Sequence, residues 1–254
     1  MDIIIKHIRK TGAIRFGFFM TFVVLLYGCN AKELSANEII SKSVEVHSGL
    51  DAWKNIKQIS FDKETKLFKE DGSLESHTEQ FQLFQQNASL FGKIEWERNN
   101  DDILILFEKG KVSKYVNDSI IDDIEELKKA KRSFFAAQYV INQPFALLDD
   151  NASLELKGIE VVNESEAFAI AVKYEGDTKD SNQWTYYVDT ETFEVVANKV
   201  VLLDHTSWVD NLTYDTTTDF KMNAHRKSYR LNAAGEKTYL RAEYWYRNYD
   251  IIYK

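Results

Sequence analysis

The sequence predicts a single-domain α+β protein, a long antiparallel sheet carrying two main helices. Three observations point there. From Ile56 onward apolar side chains recur mostly every second residue, the period of a half-buried strand. Two stretches, one near Ile39 and one after Asp122, switch to helical spacing instead. Aromatic residues make up 13% of the chain, and large rings at alternating positions suit a pleated surface. A single proline and 10 glycines exclude a low-complexity or disordered chain.

The first element is a leader. Lys6, Arg9, Lys10 and Arg15 precede the apolar run from Phe16, which closes on Leu26-Tyr27-Gly28-Cys29. This resembles the bacterial lipoprotein signal, which implies cleavage before Cys29, a diacylglyceryl group on its thiol and acylation of the new amino terminus. Residues 1–28 are then the signal peptide and 29–35 a short tether, with an outer-membrane, envelope location expected. The run from Phe16 to Tyr27 has only 12 residues, against about 20 for a helix that crosses a bilayer. Two or more acyl chains give stable attachment where one does not.

Residues 36–254 read as one domain with no internal linker. Asn37 is a plausible N-cap for a helix with Ile39, Ile40, Ser43, Val44 and His47 along one face, stopped by Gly49. Asp51 to Asn55 reads as a turn that plugs Trp53 into the core. Strands follow at Ile59–Phe68 and Leu74–Gln85 around an Asp71-Gly72 turn, then near Leu90–Trp96, Ile103–Phe107 and Val112–Val116. The continuous run Ile103–Phe107 predicts burial on both faces. A helix from Asp122 to Asn142 carries acids in its first turns, where the helix dipole favours them, and Pro144 ends or kinks it. Seven further strands are expected at 154–162, 167–174, 184–189, 193–203, 212–222, 228–232 and 238–249.

Charge and cysteine content exclude several classes. The chain carries a net −8, and losing the leader, with its four cations against Asp2, takes it to −11. Such a surface is repelled by phosphate backbones, so no nucleic-acid partner is expected. Cys29 is the only cysteine, which excludes an intramolecular disulfide. His47, His77, His205 and His225 are scattered without metal-ligand spacing, and no metal or cofactor is expected. Asp204-His205 with Ser207 and Asp210 has the residue types of a hydrolytic triad. No nucleophile-elbow pattern accompanies it, and a polar strand end is the preferred reading.

The segments ANEIISKSVEVHSGLDAW (Ala36 to Trp53) and QWTYYVDTETFEVVANKVV (Gln183 to Val201) resemble the outer-membrane lipoprotein carrier and receptor superfamily, LolA/LolB-like. Within it they sit nearest a lipid-anchored Bacteroidetes branch without an assigned activity. The resemblance implies an open antiparallel half-barrel of about eleven strands, with helices covering the concave face and a hollow that receives acyl chains. The expected function is therefore non-enzymatic binding of a lipid or lipoprotein acyl chain by a membrane-tethered monomer. Phe61, Leu67, Phe81, Leu83, Ile94 and Trp96 from the first strands, with Phe134, Phe135 and Tyr139 from the helix, are the candidate lining. The alternative is an interaction module whose hollow is filled by its own side chains, marked by exposed Tyr244, Trp245, Tyr246 and Tyr249. Asp118-Ser119-Ile120 and Asp215-Thr216-Thr217 look like short O-glycosylation acceptor sites, at Ser119 and Thr216.

Overall fold

The period-two stretches zip into one sheet. The computed structural model describes residues 33–86 and 90–254, so Cys29, the leader and the start of the tether lie outside the described residues. Leu34–Lys254 form one compact unit. The helices are α1 (Ala36–Val46), α2 (Leu50–Lys54) and α3 (Ile124–Ile141). Six strands precede α3: β1 (Ile56–Phe68), β2 (Leu74–Gln85), β3 (Phe91–Arg98), β4 (Asp101–Glu108), β5 (Lys111–Val116) and β6 (Ser119–Ile121). After a short 3-10 turn at Phe145–Leu148 come β7 (Ala152–Val162), β8 (Ser165–Tyr174), β9 (Gln183–Asp189) and β10 (Val195–Val201). The last three are β11 (Thr206–Tyr214), β12 (Asn223–Leu231) and β13 (Lys237–Tyr253).

Strand order is β6-β5-β4-β3-β2-β1-β13-β12-β11-β10-β9-β8-β7. Two meanders thus meet where the first strand pairs antiparallel with the last, from Ile56 opposite Tyr253 to Leu67 opposite Ala242. The sheet is open, with β6 and β7 as its edges.

Thirteen strands replace the expected eleven or so. The extra edge strand β6 is only three residues long, too short for a periodicity to register. β11 also sits at Thr206–Tyr214 rather than at 212–222. The reason is the Asp215 carboxylate, which accepts from the backbone N–H of Thr217 at 2.9 Å and of Thr218 at 3.1 Å. This local turn ends the strand, and the chain folds Phe220 and Met222 inward. Asp51 to Asn55, expected as a turn, contains the single helical turn α2. Trp53 within it stacks on Phe145 at 4.2 Å between ring centres.

α1 is capped by Ser35 rather than Asn37. Glu38 N–H donates to Ser35 Oγ at 3.3 Å, and Ser35 N–H donates back to the Glu38 carboxylate at 2.8 Å. Ala36, Ile39, Ile40, Ser43 and Val44 then form its buried stripe. α3 starts at Asp123, whose Oδ1 accepts from Glu126 N–H at 2.8 Å, and stops at Ile141, ahead of Pro144.

The face of the sheet carrying α1 and α3 is termed inner. Ile103, Ile105 and Phe107 of β4 are buried there, whereas Leu104 and Leu106 on the outer face are half-buried, so this run is buried fully on one face only. Phe107 stacks on Phe134 of α3 with ring centres 4.9 Å apart, and Phe84 reaches the same ring at 5.5 Å. Tyr246 and Tyr249, expected at the surface, are buried, and both rings pack on Phe61. Among the described residues, no helix is long and apolar enough to cross a membrane.

Gly92 is where Phe134 comes closest to the sheet. A Cβ there would lie 2.8 Å from the Leu83 carbonyl oxygen and 2.9 Å from the Phe134 ring. Gly92→Ala is therefore expected to destabilise the fold by about 1–3 kcal/mol, read as a lower denaturant midpoint at unchanged slope.

Candidate ligand-binding site

The inner face is not packed solid. Between α3 and strands of both meanders lies a hollow of about 620 Å³. Its origin is the composition of α3. Ser133, Ala136, Ala137 and Val140 follow one another at i, i+3, i+4 and i+7, so a single stripe of small side chains faces the hollow. One turn away Phe134 fills its own space completely.

The two sides of the hollow differ in chemistry. Ile94 and Trp96 of β3 and Ile105 of β4 give it an apolar wall. Across from them the seam strands and their neighbours present hydroxyls, amides and cations: Lys63 from β1, Arg226 and Arg230 from β12, and Arg241 from β13. Gln82, only 1% exposed, donates to Gln80 Oε1 at 2.9 Å. Arg230 Nη1 donates to Ser207 Oγ at 2.6 Å, and Arg241 pairs with Glu75.

Of the residues expected to line a hollow, Leu67, Ile94 and Trp96 do so. Phe61 and Phe134 lie in the core beside it. Phe81 and Leu83 alternate with Gln80 and Gln82 on β2 and occupy the outer face, where Lys93 Nζ sits 5.3 Å from the Phe81 ring centre. Phe135 is 36% exposed and meets Phe107 edge-on. Tyr139 lies next door, in a small cavity of about 30 Å³ shared with His47, Tyr214 and Arg226, room for about one water. The Tyr139 hydroxyl is hydrogen-bonded to those of Tyr186 at 2.9 Å and Tyr174 at 3.1 Å. Burial, the first cause, and its tyrosine neighbours raise the Tyr139 pKa far above the usual phenol range.

Sequence reading missed the cations and the small-residue stripe. The signal for the stripe was present in the spacing of 133, 136, 137 and 140. Arg226, Ser228 and Arg230 do alternate, but alternation does not say which face is inside.

Of the remaining candidates, His205 and Ser207 border the hollow and the others lie outside it. His205 Nδ1 lies 2.8 Å from Asp204 Oδ1, the Ser207 hydroxyl is held by Arg230, and Asp210 points to the outer face, where it binds Trp208 and Lys237. Glu64, His77 and Glu79 bring three potential ligand atoms within 4.8 Å of one another, and Glu64 there is already paired with Lys66 and Arg247. Ser119 and Thr216 are both exposed.

None of the known family models matches the sequence, and no curated protein matches it either. Solved structures do match. A LolA superfamily protein from Nitrosomonas europaea superposes with a TM-score of 0.57, at 8% identity over 87% of this chain and 94% of its own. The chain has the LolA-type fold. A DUF1329 family protein from Desulfovibrio piger gives the same TM-score at 10% identity, over 86% of this chain and 94% of its own. A candidate outer membrane lipoprotein-sorting domain from Vibrio parahaemolyticus gives 0.51 at 9% identity, over 84% of this chain and 91% of its own. At these identities the likeness is one of fold. The LolA-type sheet places α3 across the inner face, and the chain's own small side chains decide how much space remains beneath it.

His47 reports on the packing of the small cavity. It is buried, its Nδ1–H donates to the Ser43 carbonyl at 2.8 Å, and desolvation holds its pKa below the usual 6.5 against opposing pulls from that bond and from Glu194. The unfolded chain takes up a proton near 6.5 while the folded chain resists, so this contribution is full above that pH and is lost as the pH falls below it. Acidification from pH 7 to 5 is expected to lower the Tm, and His47→Gln to flatten that slope in thermal melts.

Proposed function

We propose that the protein binds the acyl chain of a lipid or lipoprotein in its inner hollow while tethered to an envelope membrane, the outer membrane of a two-membrane cell, through lipid on Cys29. The observation that carries this reading is the 620 Å³ hollow left open under the small-residue stripe of α3. Its volume lies in the range of small-molecule sites, about 300–1,000 Å³. An acyl chain laid against Ile94, Trp96 and Ala137 gains about 25 cal/mol for each Å² removed from water, so burial holds it without a directed hydrogen bond. Three solved structures with this fold include one described as a candidate for outer membrane lipoprotein sorting, which supports an envelope role. No catalytic step is assigned, since binding and release of a chain need shape and burial alone. The chain acts as a monomeric carrier or sensor, exchanging its ligand with a membrane or a partner protein.

Native mass spectrometry of the full chain, released from a neutral detergent, tests the binding. The wild type is expected to carry or take up one lipid above its covalent mass, and Ala137→Trp, which fills the hollow, to lose it with a Tm within a few degrees. A wild type that neither carries nor takes up lipid ends the proposal. Anchoring is tested separately: Cys29→Ser is expected to abolish covalent lipid and move the chain from the membrane to the soluble fraction.

A further inference from the structure

We infer that the ligand of the inner hollow is an amphiphile with an anionic headgroup, a carboxylate or a phosphate, seated against the guanidinium of Arg226. This rests on the acyl-chain reading and names the other end of the ligand.

The first observation is a partition of charge between the two faces. The chain has 40 acidic and 32 basic residues, yet among the described residues no Asp or Glu lines the hollow. On the outer face a groove over β1–β5 is lined instead by Asp62, Glu64, Glu79, Glu95 and Asp102. Of Asp62-Lys63-Glu64 all three border the outer groove, and the lysine alone also lines the hollow. A cationic, acid-free concavity inside an acidic protein attracts anions and repels cations.

The second observation is Arg226 itself, only 7% exposed. Its Nε donates to Asn211 Oδ1 at 2.7 Å and its Nη2 to Asn198 Oδ1 at 2.8 Å, both neutral acceptors. Its Nη1 donates to no acceptor among the described residues, and no carboxylate there lies within ion-pairing distance of it. A guanidinium cannot shed its proton to escape burial. A desolvated charge without a counterion is strongly unfavourable, and an arriving oxyanion removes that penalty.

The neighbours extend the seat. Arg230, four residues along the same strand face, donates to the Ser207 hydroxyl and is in direct ion-pair contact with no carboxylate among the described residues, Asp204 acting on it from a greater distance. Lys63 has its ammonium over the Tyr244 and Tyr246 rings, at 5.1 and 5.7 Å, with no acid paired to it among the described residues. Arg241, neutralised by Glu75, is not part of the seat. The headgroup takes Arg226, and the tail lies along Ile94, Trp96 and Ala137.

The experiment is a native mass-spectrometric titration of the full chain in neutral detergent with four probes. These are a fatty acid, a lysophosphatidic acid and a monoacylglycerol of equal chain length, and inorganic phosphate alone. Either or both anionic amphiphiles should bind at least about tenfold more tightly than the neutral one, the worth of a charge-assisted hydrogen bond or more. Arg226→Met should abolish that preference while keeping or raising the Tm, and Arg226→Lys should retain part of it. The amphiphile that shows the Arg226-dependent preference identifies the headgroup. Monoacylglycerol binding as tightly as both anions overturns the headgroup assignment and leaves acyl binding intact. No amphiphile bound at all overturns the acyl reading with it. Inorganic phosphate displacing lysophosphatidic acid at equal concentration overturns the amphiphile in favour of a free anion. The wild-type series decides these outcomes even if the Met variant fails to fold.

Discussion

The pairing of β1 with β13 is the constraint on which the rest depends. It joins residues at opposite ends of the described chain, Ile56 with Tyr253, and turns two meanders into one surface. Closing so long a loop adds little entropy over a shorter one, since the cost grows only with the logarithm of length. Without this seam each meander would expose a long edge strand, an invitation to pair with other chains. With it, the only edges are β6, three residues long, and β7. The seam also builds the site: Thr65 lies opposite Tyr244, and Tyr244 opposite Arg226, so cations from both meanders come to one inner surface.

Element type was legible in the sequence because period speaks directly to backbone geometry. The two main helices and nearly all strands lie where alternation or helical spacing places them, and the LolA-type resemblance agrees with the fold. What failed to show was sidedness. On β2 the apolar Phe81 and Leu83 face outward and the polar Gln80 and Gln82 inward, the reverse of what burial alone suggests. A hollow inverts the usual rule, since its wall must present groups to a ligand or to water rather than fill space. Local turn chemistry hid the rest, as when Asp215 stops β11 in a stretch whose apolar residues imitate a continuing strand.

Polar groups on the inner wall also explain why the hollow does not close. An apolar cleft of this size would gain by collapsing onto itself, because every CH₂ brought together is favourable. Here collapse would bring Arg226, Arg230 and Lys63 against each other and strip water from them without providing a counter-charge, which is costly. The asparagines flanking Arg226 orient its guanidinium but do not neutralise it. These charges make the interior a poor dry core.

Helix α3 supplies the complementary mechanical part. Near its start Lys114 of β5 pairs with Glu126 at 2.6 Å, and just past its midpoint Phe134 is clamped between Phe84 and Phe107. Near its end Tyr139 is fixed by two tyrosine hydroxyls and by Trp184, 4.8 Å away between ring centres. Between these attachments Ser133, Ala136 and Ala137 cross the hollow with too little side chain to touch the far wall. A rod held at both ends over a space it cannot fill keeps that space at a fixed width, because a helix transmits its end positions along a hydrogen-bonded backbone. The C-terminal attachment combines neutral hydroxyl bonds, each worth about 1 kcal/mol net, with the Tyr139–Trp184 ring contact and the buried Ile141 side chain. That end of α3 lies beside Arg226, since Val140 and Trp184 line both the hollow and the small cavity that Arg226 shares.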